Sequence, residues 1–209
     1  MYMPRAFSVN DLSALDRLMA RDNFVTLVTS GNSCVTVSHL PVLYFRDGNS
    51  VELRGHWARP NPQSLQAGAA LAIVHGPHAY ISPSWYPDED SAGRVPTWNY
   101  AVAHLEGELS TFDDESDLAS LVDELSRQHE SQIGGAWRYR HERAAVRAQL
   151  KAIVGFRMVV RRIELKFKLN QNHPRENRIA VVGELSAHGR QDSRDIAELM
   201  RLQLDSVAT

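Results

Sequence analysis

Cysteine is almost missing from this chain. One of its 209 residues is cysteine, Cys34, so no internal disulfide can form and a disulfide-stapled exported scaffold is not expected. Long apolar runs are missing too. No stretch approaches the ~20 residues that cross a bilayer, and Met1 to Ala6 carry no charged-then-apolar signal pattern. The expected location is the cytoplasm, with no membrane partner. Excess charge of one sign is also absent: 23 Lys and Arg stand against 25 Asp and Glu, for a formal net charge of −2. That balance argues against a protein whose main task is to coat nucleic acid.

Several kinds of chemistry are absent as well. No glycine-rich phosphate fingerprint follows a strand pattern, so neither a dinucleotide-binding fold nor a P-loop is supported. His129-Glu130 and His141-Glu142 lack the second histidine of a zinc helix, and Gly76-Pro77 separates His75 from His78. There is no Gly-x-Ser-x-Gly elbow. Cys34 lies in an apolar stretch without a partner for nucleophilic chemistry, and it reads as a buried structural thiol.

What is present is a succession of short strand patterns. A first helix is expected from about Asn10 to Arg21, with Leu12, Leu15, Leu18 and Met19 on one face. Phe24 to Ser30 is rich in β-branched residues and ends at the turn pair Gly31-Asn32; Cys34 to Ser38 returns. Asp47-Gly48-Asn49 marks a second hairpin between Pro41–Phe45 and Val51–Arg54. A short helix is expected at Asn61-Pro62, strands at Ala69–His75 and Ala79–Ser82, a loop at Trp85–Pro96, and a long strand at Asn99–Leu109. Helical patterns follow Asp113-Asp114-Glu115, cover Glu142–Leu150 and fill Gln191–Leu204, while Ile153–Ile163 is a strong strand and Asn172–Asn177 a polar loop. This order predicts a mainly β chain with peripheral helices and a closed antiparallel barrel rather than a doubly wound sheet. It forms a single domain over 1–209, with a helical insertion at about 113–150 and a C-terminal helix at about 191–205.

Four segments hold residues that folding alone does not require. In Gly55-His56-Trp57-Ala58-Arg59-Pro60-Asn61-Pro62, Arg59 and Asn61 stand where a strand enters a helix. There they read equally as an anion site or as a surface arginine beside a proline turn. Gly76 to Tyr86 and Val95 to Tyr100 crowd aromatics against prolines, as walls for a planar ring or as plugs at barrel ends. Lys166, Lys168 and Asn170 alternate onto one side, where they could meet a phosphate or could guard a solvated edge strand.

Taken together, Met1-Tyr2-x-Pro4-x-x-Phe7, His39-Leu40-Pro41, Gly55-His56-x-Ala58-Arg59-x-Asn61-Pro62, Gly76–Tyr86, Val95–Tyr100 with His104, Ile153-Val154-Gly155-Phe156 and Lys168-Leu169-x-Gln171-Asn172 resemble the PaiB family. Its members are described as FMN-binding negative transcriptional regulators. The resemblance runs from Met1 to about Arg178. It implies an FMN-binding split β-barrel, similar to pyridoxamine phosphate oxidase, with FMN held at the interface of a homodimer. It also implies roles for particular residues. Arg59 and Asn61 would contact the phosphate, and His39, Leu40 and His56 would line the flavin, with Ala58 and Ser82 in the same set. Trp98 and Asn99 would border the ring, and Lys168, Gln171 and Asn172 would close the site. Two matched positions depart from the pattern: Asn170 stands where serine is usual, and Ser64 replaces a tryptophan.

Function then divides three ways. A regulator or flavin-linked sensor follows from the family, with DNA as a partner; Arg138, Arg140, Arg143, Arg147 and Lys151 could meet its phosphates or form a solvated helix face. An FMN-dependent oxidoreductase using NAD(P)H is the alternative, with His56, His78 and Tyr100 as hydrogen-bond or proton donors. A haem-binding split barrel is the third, with His39, His56, His78 and His104 as available axial ligands.

Overall fold

The computed structural model of the chain describes residues 1–31 and 34–206. The strands are β1 (Ser8–Val9), β2 (Phe24–Ser30), β3 (Val35–Pro41), β4 (Leu43–Asp47), β5 (Ser50–Ala58), β6 (Gly68–Ile81), β7 (Thr97–Phe112) and β8 (Ile153–Lys168). They form a mainly antiparallel sheet in the order β3-β2-β6-β7-β8-β5-β4, with β1 added on β8. That order has two ends, so the sheet is not closed, in contrast to the closed barrel expected. The helices are α1 (Ser13–Arg21), α2 (Glu89–Ala92), α3 (Glu115–Ile133), α4 (Ala144–Arg147), α5 (Arg175–Ala187) and α6 (Gln191–Ser206).

The chain divides into two compact units. The first gathers Met1–Leu15, His75–Ala103 and Glu164–Thr209; the second gathers Asp16–Val74 and His104–Ile163.

In the second unit, β2 pairs with β3 from Phe24↔Pro41 to Ser30↔Val35 and with β6 from Thr26↔Ile73 to Thr29↔Ala70. β4 and β5 form the hairpin expected around Gly48, whose φ of 57° suits a residue without Cβ. β5 pairs with β8 from Glu52↔Val159 to Ala58↔Ile153. The inward alternation of β5 buries Val51, Leu53 and Trp57, and Trp57 packs on Phe156 with ring centroids 4.6 Å apart. Asp114 caps α3 through Ser116 N and Asp117 N, which fixes where this helix starts. Leu121 and Leu125 of α3 then cover Leu43 and Phe112.

In the first unit, α5 and α6 pack together through Val181, Leu185, Ile196 and Met200, all fully buried. β1 pairs with the end of β8 through Ser8↔Lys166.

Three expectations change. Ala69–His75 and Ala79–Ser82 belong to one strand. The ladder of β2 on β6 runs from Ala70 to Ile73, short of Pro77, so the missing N–H of that proline costs nothing there. The region Glu142–Leu150 shortens to α4 followed by a 3-10 turn at Ala148–Ala152. The loop read over Asn172–Asn177 ends at Pro174, where α5 begins. Buried Asn177 and Arg178 interrupt the apolar period that would have marked this helix. The Gly31-Asn32 turn has its second residue outside the described residues. Cys34 is exposed rather than buried. Among the described residues, no helix is long and apolar enough to cross a membrane.

Candidate functional site

The second unit holds His39, Leu40, His56, Ala58, Arg59 and Asn61, the last two in the turn that leaves β5. The organiser is Gln63, which the sequence did not single out. It is fully buried. Its Oε1 accepts from Trp57 Nε1 at 3.0 Å, and its Nε2 lies 3.1 Å from the Leu27 carbonyl, 3.0 Å from Thr29 Oγ1 and 3.1 Å from the Thr36 carbonyl. One amide thus ties β2, β3 and β5 to the turn that leaves β5.

That turn is not the open helix N-terminus expected for a phosphate. Pro62–Leu65 is a 3-10 turn of four residues, and Asn61 Oδ1 already accepts from Gln63 N. Asn61 Nδ2 donates to Ser38 Oγ at 3.0 Å. Arg59 reaches across the chain: Nε donates to the Lys151 carbonyl at 2.8 Å and Nη2 to the Ile153 carbonyl at 2.9 Å, with Nη1 3.5 Å from Asp113. The guanidinium side chain is nonetheless 45% exposed, so its remaining N–H groups stay within reach of a ligand. Ser64, at the position of the expected tryptophan, is buried and donates to the Asn61 carbonyl at 2.7 Å.

The two histidines differ. His39 is on the outward side of β3, with Nδ1 3.0 Å from Thr26 Oγ1. His56 is half-buried, and its Nδ1 is buried with no partner among the described residues. Burial pushes the His56 imidazole below the usual histidine range, so it is neutral near pH 7. Leu40 is core, and Ala58 is exposed at the end of β5.

Cross-strand register places Thr26, Val28, Val37, His39, Leu71 and Ile73 on one face of β3-β2-β6. This outward face is unusually apolar. Val37 is 48% exposed, and Val35 and Phe24, on the same side, are 66% and 51% exposed. A cavity of about 430 Å³ borders it, lined by Val28 and Leu71 on one side and by Glu106, Glu108, Arg161 and Arg162 on the other.

The first unit holds the remaining expected residues. Ser82 caps a 3-10 turn through Ser84 N. Asn99 is fully buried, with Nδ2 3.4 Å from Met200 Sδ; it faces the helices, whereas its neighbour Trp98 is 48% exposed beside His78 and Tyr80. Gln171 clamps its own turn, accepting from Leu169 N at 2.7 Å and donating to the Phe167 carbonyl. Lys168 Nζ donates to Thr97 Oγ1 and to the Trp98 carbonyl. Lys168 and Asn172 line one cavity of about 300 Å³ with Arg94 and His173. β1 pairs with β8 at Lys166, and Lys166 is buried, so the solvated-edge reading does not hold there.

The open, mainly antiparallel sheet is that of the flavin-binding split-barrel proteins. The chain belongs to the family described as "Putative FMN-binding domain", which it matches over residues 1–162, and it is PaiB-like. It is 30% identical over 207 residues to "Protease synthase and sporulation protein PAI 2" of Bacillus subtilis, covering 98% of each chain. It is 28% identical over 244 residues to an uncharacterized protein of Emericella nidulans, with 96% of each covered. Among solved structures it is similar to the FAD and heme binding protein of Mycobacterium smegmatis, with TM-score 0.56 and 13% identity, covering 83% of this chain and 78% of that one. It is also similar to the flavocytochrome Anf3 of Azotobacter vinelandii, with TM-score 0.55 and 17% identity over 79% and 72%. At these identities the structures establish the fold.

The cofactor of this family is FMN, and the residues present fit it. A flavin ring offers carbonyls and ring nitrogens to polar side chains and flat faces to apolar ones. The unpartnered Nδ1 of His56, the exposed part of Arg59 and the apolar outer face of β3-β2-β6 are groups of that kind.

Proposed function

We propose that the protein is a homodimeric, FMN-binding regulator or flavin-linked sensor of the PaiB type. The observation that carries this reading is the outward face of β3-β2-β6. Val35 and Val37 are exposed one after the other on that strip of β3, and Phe24 is exposed beyond the Thr26–His39 pair; together they are apolar surface that a partner would cover. A second copy meeting it by a twofold axis would cover the strip and enclose a planar ring against it. Arg59 would hold the phosphate through the N–H groups it does not use on carbonyls, and Asn61 would fix the turn that carries Arg59. His39 and His56 would present ring nitrogens to the flavin, and Leu40 and Ala58 would shape its surroundings.

FMN, when bound, supplies one- and two-electron redox chemistry. The side chains identified hold, orient and desolvate. The regulatory part of the reading is supported by the relative matched over 98% of both chains, whose name includes sporulation, a cellular programme. DNA would be its partner. In the basic stretch expected to touch it, Arg147 lies 3.8 Å from Glu115.

Light scattering on the Val37→Asp variant tests the reading. The parent should run as a dimer that quenches flavin fluorescence on titration with FMN, and the variant should run as a folded monomer with FMN affinity lowered at least tenfold. A parent that is monomeric with FMN tightly bound refutes the dimer. NADH oxidation faster than with free FMN would favour the oxidoreductase instead.

A further inference from the structure

The cavity of about 300 Å³ in the first unit has a composition that the fold does not account for. Its wall carries the cationic side chains Arg94 and Lys168, together with His173, the amides of Asn170 and Asn172, and Thr97; no carboxylate lines it. Each cation is held in place. Arg94 Nε donates to Asp88 Oδ1 at 2.9 Å and Nη2 to Oδ2, and Asp88 is fixed in turn by Asn177 Nδ2 at 2.7 Å. Lys168 is anchored by Thr97 Oγ1 and the Trp98 carbonyl, leaving its third N–H for another acceptor.

The ring of His173 stacks on Tyr86 with centroids 4.8 Å apart and planes 11° from parallel. Its Nδ1 is buried with no partner among the described residues. Asn170 is the only described non-glycine residue with positive φ, at 61°. It is held there by its Nδ2 donating to the Tyr86 hydroxyl at 2.8 Å and by its carbonyl accepting from His173 N at 2.9 Å. Asparagine takes this left-handed conformation more readily than most non-glycine residues. Here that backbone turns His173 into the cavity wall. Burial together with nearby Lys166 lowers the affinity of Lys168 for its proton, a penalty that an anion in the cavity would relieve.

We propose that this cavity is an anion subsite that takes the carboxylate or phosphate of a small molecule, with Lys168, Arg94, Asn172 and His173 Nδ1 as its contacts. Two sources of such a group exist: the phosphate of FMN itself or a second, non-flavin ligand. The proposal does not depend on the flavin lying on the β3-β2-β6 face.

Inorganic phosphate, titrated into the full-length protein without flavin and followed by amide resonances of residues 94–97 and 168–173, tests it. Saturable shifts confined to those residues are expected. Lys168→Met and the exposed-site variant Asn172→Asp should each weaken saturation at least tenfold. If the shifts persist in FMN-loaded protein, the subsite serves a second ligand. If they vanish with FMN but persist with riboflavin, the flavin phosphate is the occupant. If phosphate moves these resonances while FMN fluorescence is never quenched, the flavin reading fails and the subsite stands. Absence of saturable shifts in the parent, or saturation unchanged in both folded variants, overturns the proposal.

Discussion

Replacing Gln63 with leucine tests whether one amide organises the turn after β5. The side chain is fully buried and touches three strands. Leucine is near in volume, so packing changes little; hydrogen bonding changes entirely. Trp57 Nε1–H, inside the core at 2% exposure, loses its acceptor. A buried donor left unmade costs ~1–3 kcal/mol. The Leu27 and Thr36 carbonyls and Thr29 Oγ1 lose a donor as well, and Thr29 still donates to Gln66 at 2.5 Å. The sum is about 2–4 kcal/mol. At about 2–4 °C per kcal/mol for a chain of this size, the melting temperature should fall by roughly 5–15 °C.

A double-mutant cycle isolates the indole's share. In a Trp57→Phe background there is no N–H to orphan, so Gln63→Leu should cost about 1–2 kcal/mol less than in the parent. Urea unfolding measures all four proteins. Under the proposed flavin site, Gln63→Leu should also weaken FMN more than Trp57→Phe does, because the Gln63 amide ties the turn after Arg59 to β2 and β3 as well as to Trp57. A Gln63→Leu protein within about 0.5 kcal/mol of the parent, in the range of an ordinary surface substitution, would refute the reasoning.

Arg59→Ala should reduce FMN affinity about tenfold, corresponding to about 1.4 kcal/mol, and leave riboflavin affinity unchanged, as read by calorimetry. The His56 imidazole is held below its ordinary range by burial, so the unfolded chain takes up this proton at a higher pH than the folded one. Stability should therefore be fully present above the unfolded histidine value of about 6.5 and decline as pH falls below it towards the folded value. Urea midpoints at pH 7.5, 6.0 and 5.0 should show this decline, and His56→Gln should flatten part of it, with His173 accounting for a further share in the same direction. Gly107→Ala would place a Cβ 2.3 Å from the Val159 carbonyl oxygen, where β7 passes close to β8. Backbone must shift, and a loss of about 2–3 kcal/mol should appear in thermal unfolding.

The parts of the fold that were legible in the sequence are those with local signals. The β4–β5 hairpin followed from Asp47-Gly48-Asn49, the start of α3 from the acids at 113–115, and the core face of α6 from Ile196, Leu199, Met200 and Leu204. Where a signal was misread, a polar or turn residue served a distant partner. Asn177 and Arg178 broke the apolar period of α5 because Asn177 binds Asp88 and Arg178 binds Gln203, and neither partner lies on that helix. Gly76-Pro77 read as a break because the sequence does not show that the β2 ladder ends at Ile73.

The site shows the same rule at finer scale. Arg59 beside a proline turn carries a correct signal for a group that meets oxygens. Two of those oxygens are backbone carbonyls 92 and 94 positions away, which no local pattern reveals. Gln63 has no signal at all; glutamine after Asn-Pro is ordinary in composition, and only its burial beside Trp57 makes it central. The Lys-Leu-Asn-Gln-Asn segment is the reverse case. Its Gln171 is consumed by its own turn, while Lys168 and Asn172 face a cavity with two partners, Arg94 and His173, that the sequence had not joined to them. A side chain's chemistry is thus written in its type, but whether that chemistry is spent on the fold or left for a ligand depends on acceptors brought in from far along the chain. The polar groups to test first are those whose distant partners leave them a donor or lone pair: Arg59, His56, Lys168 and His173.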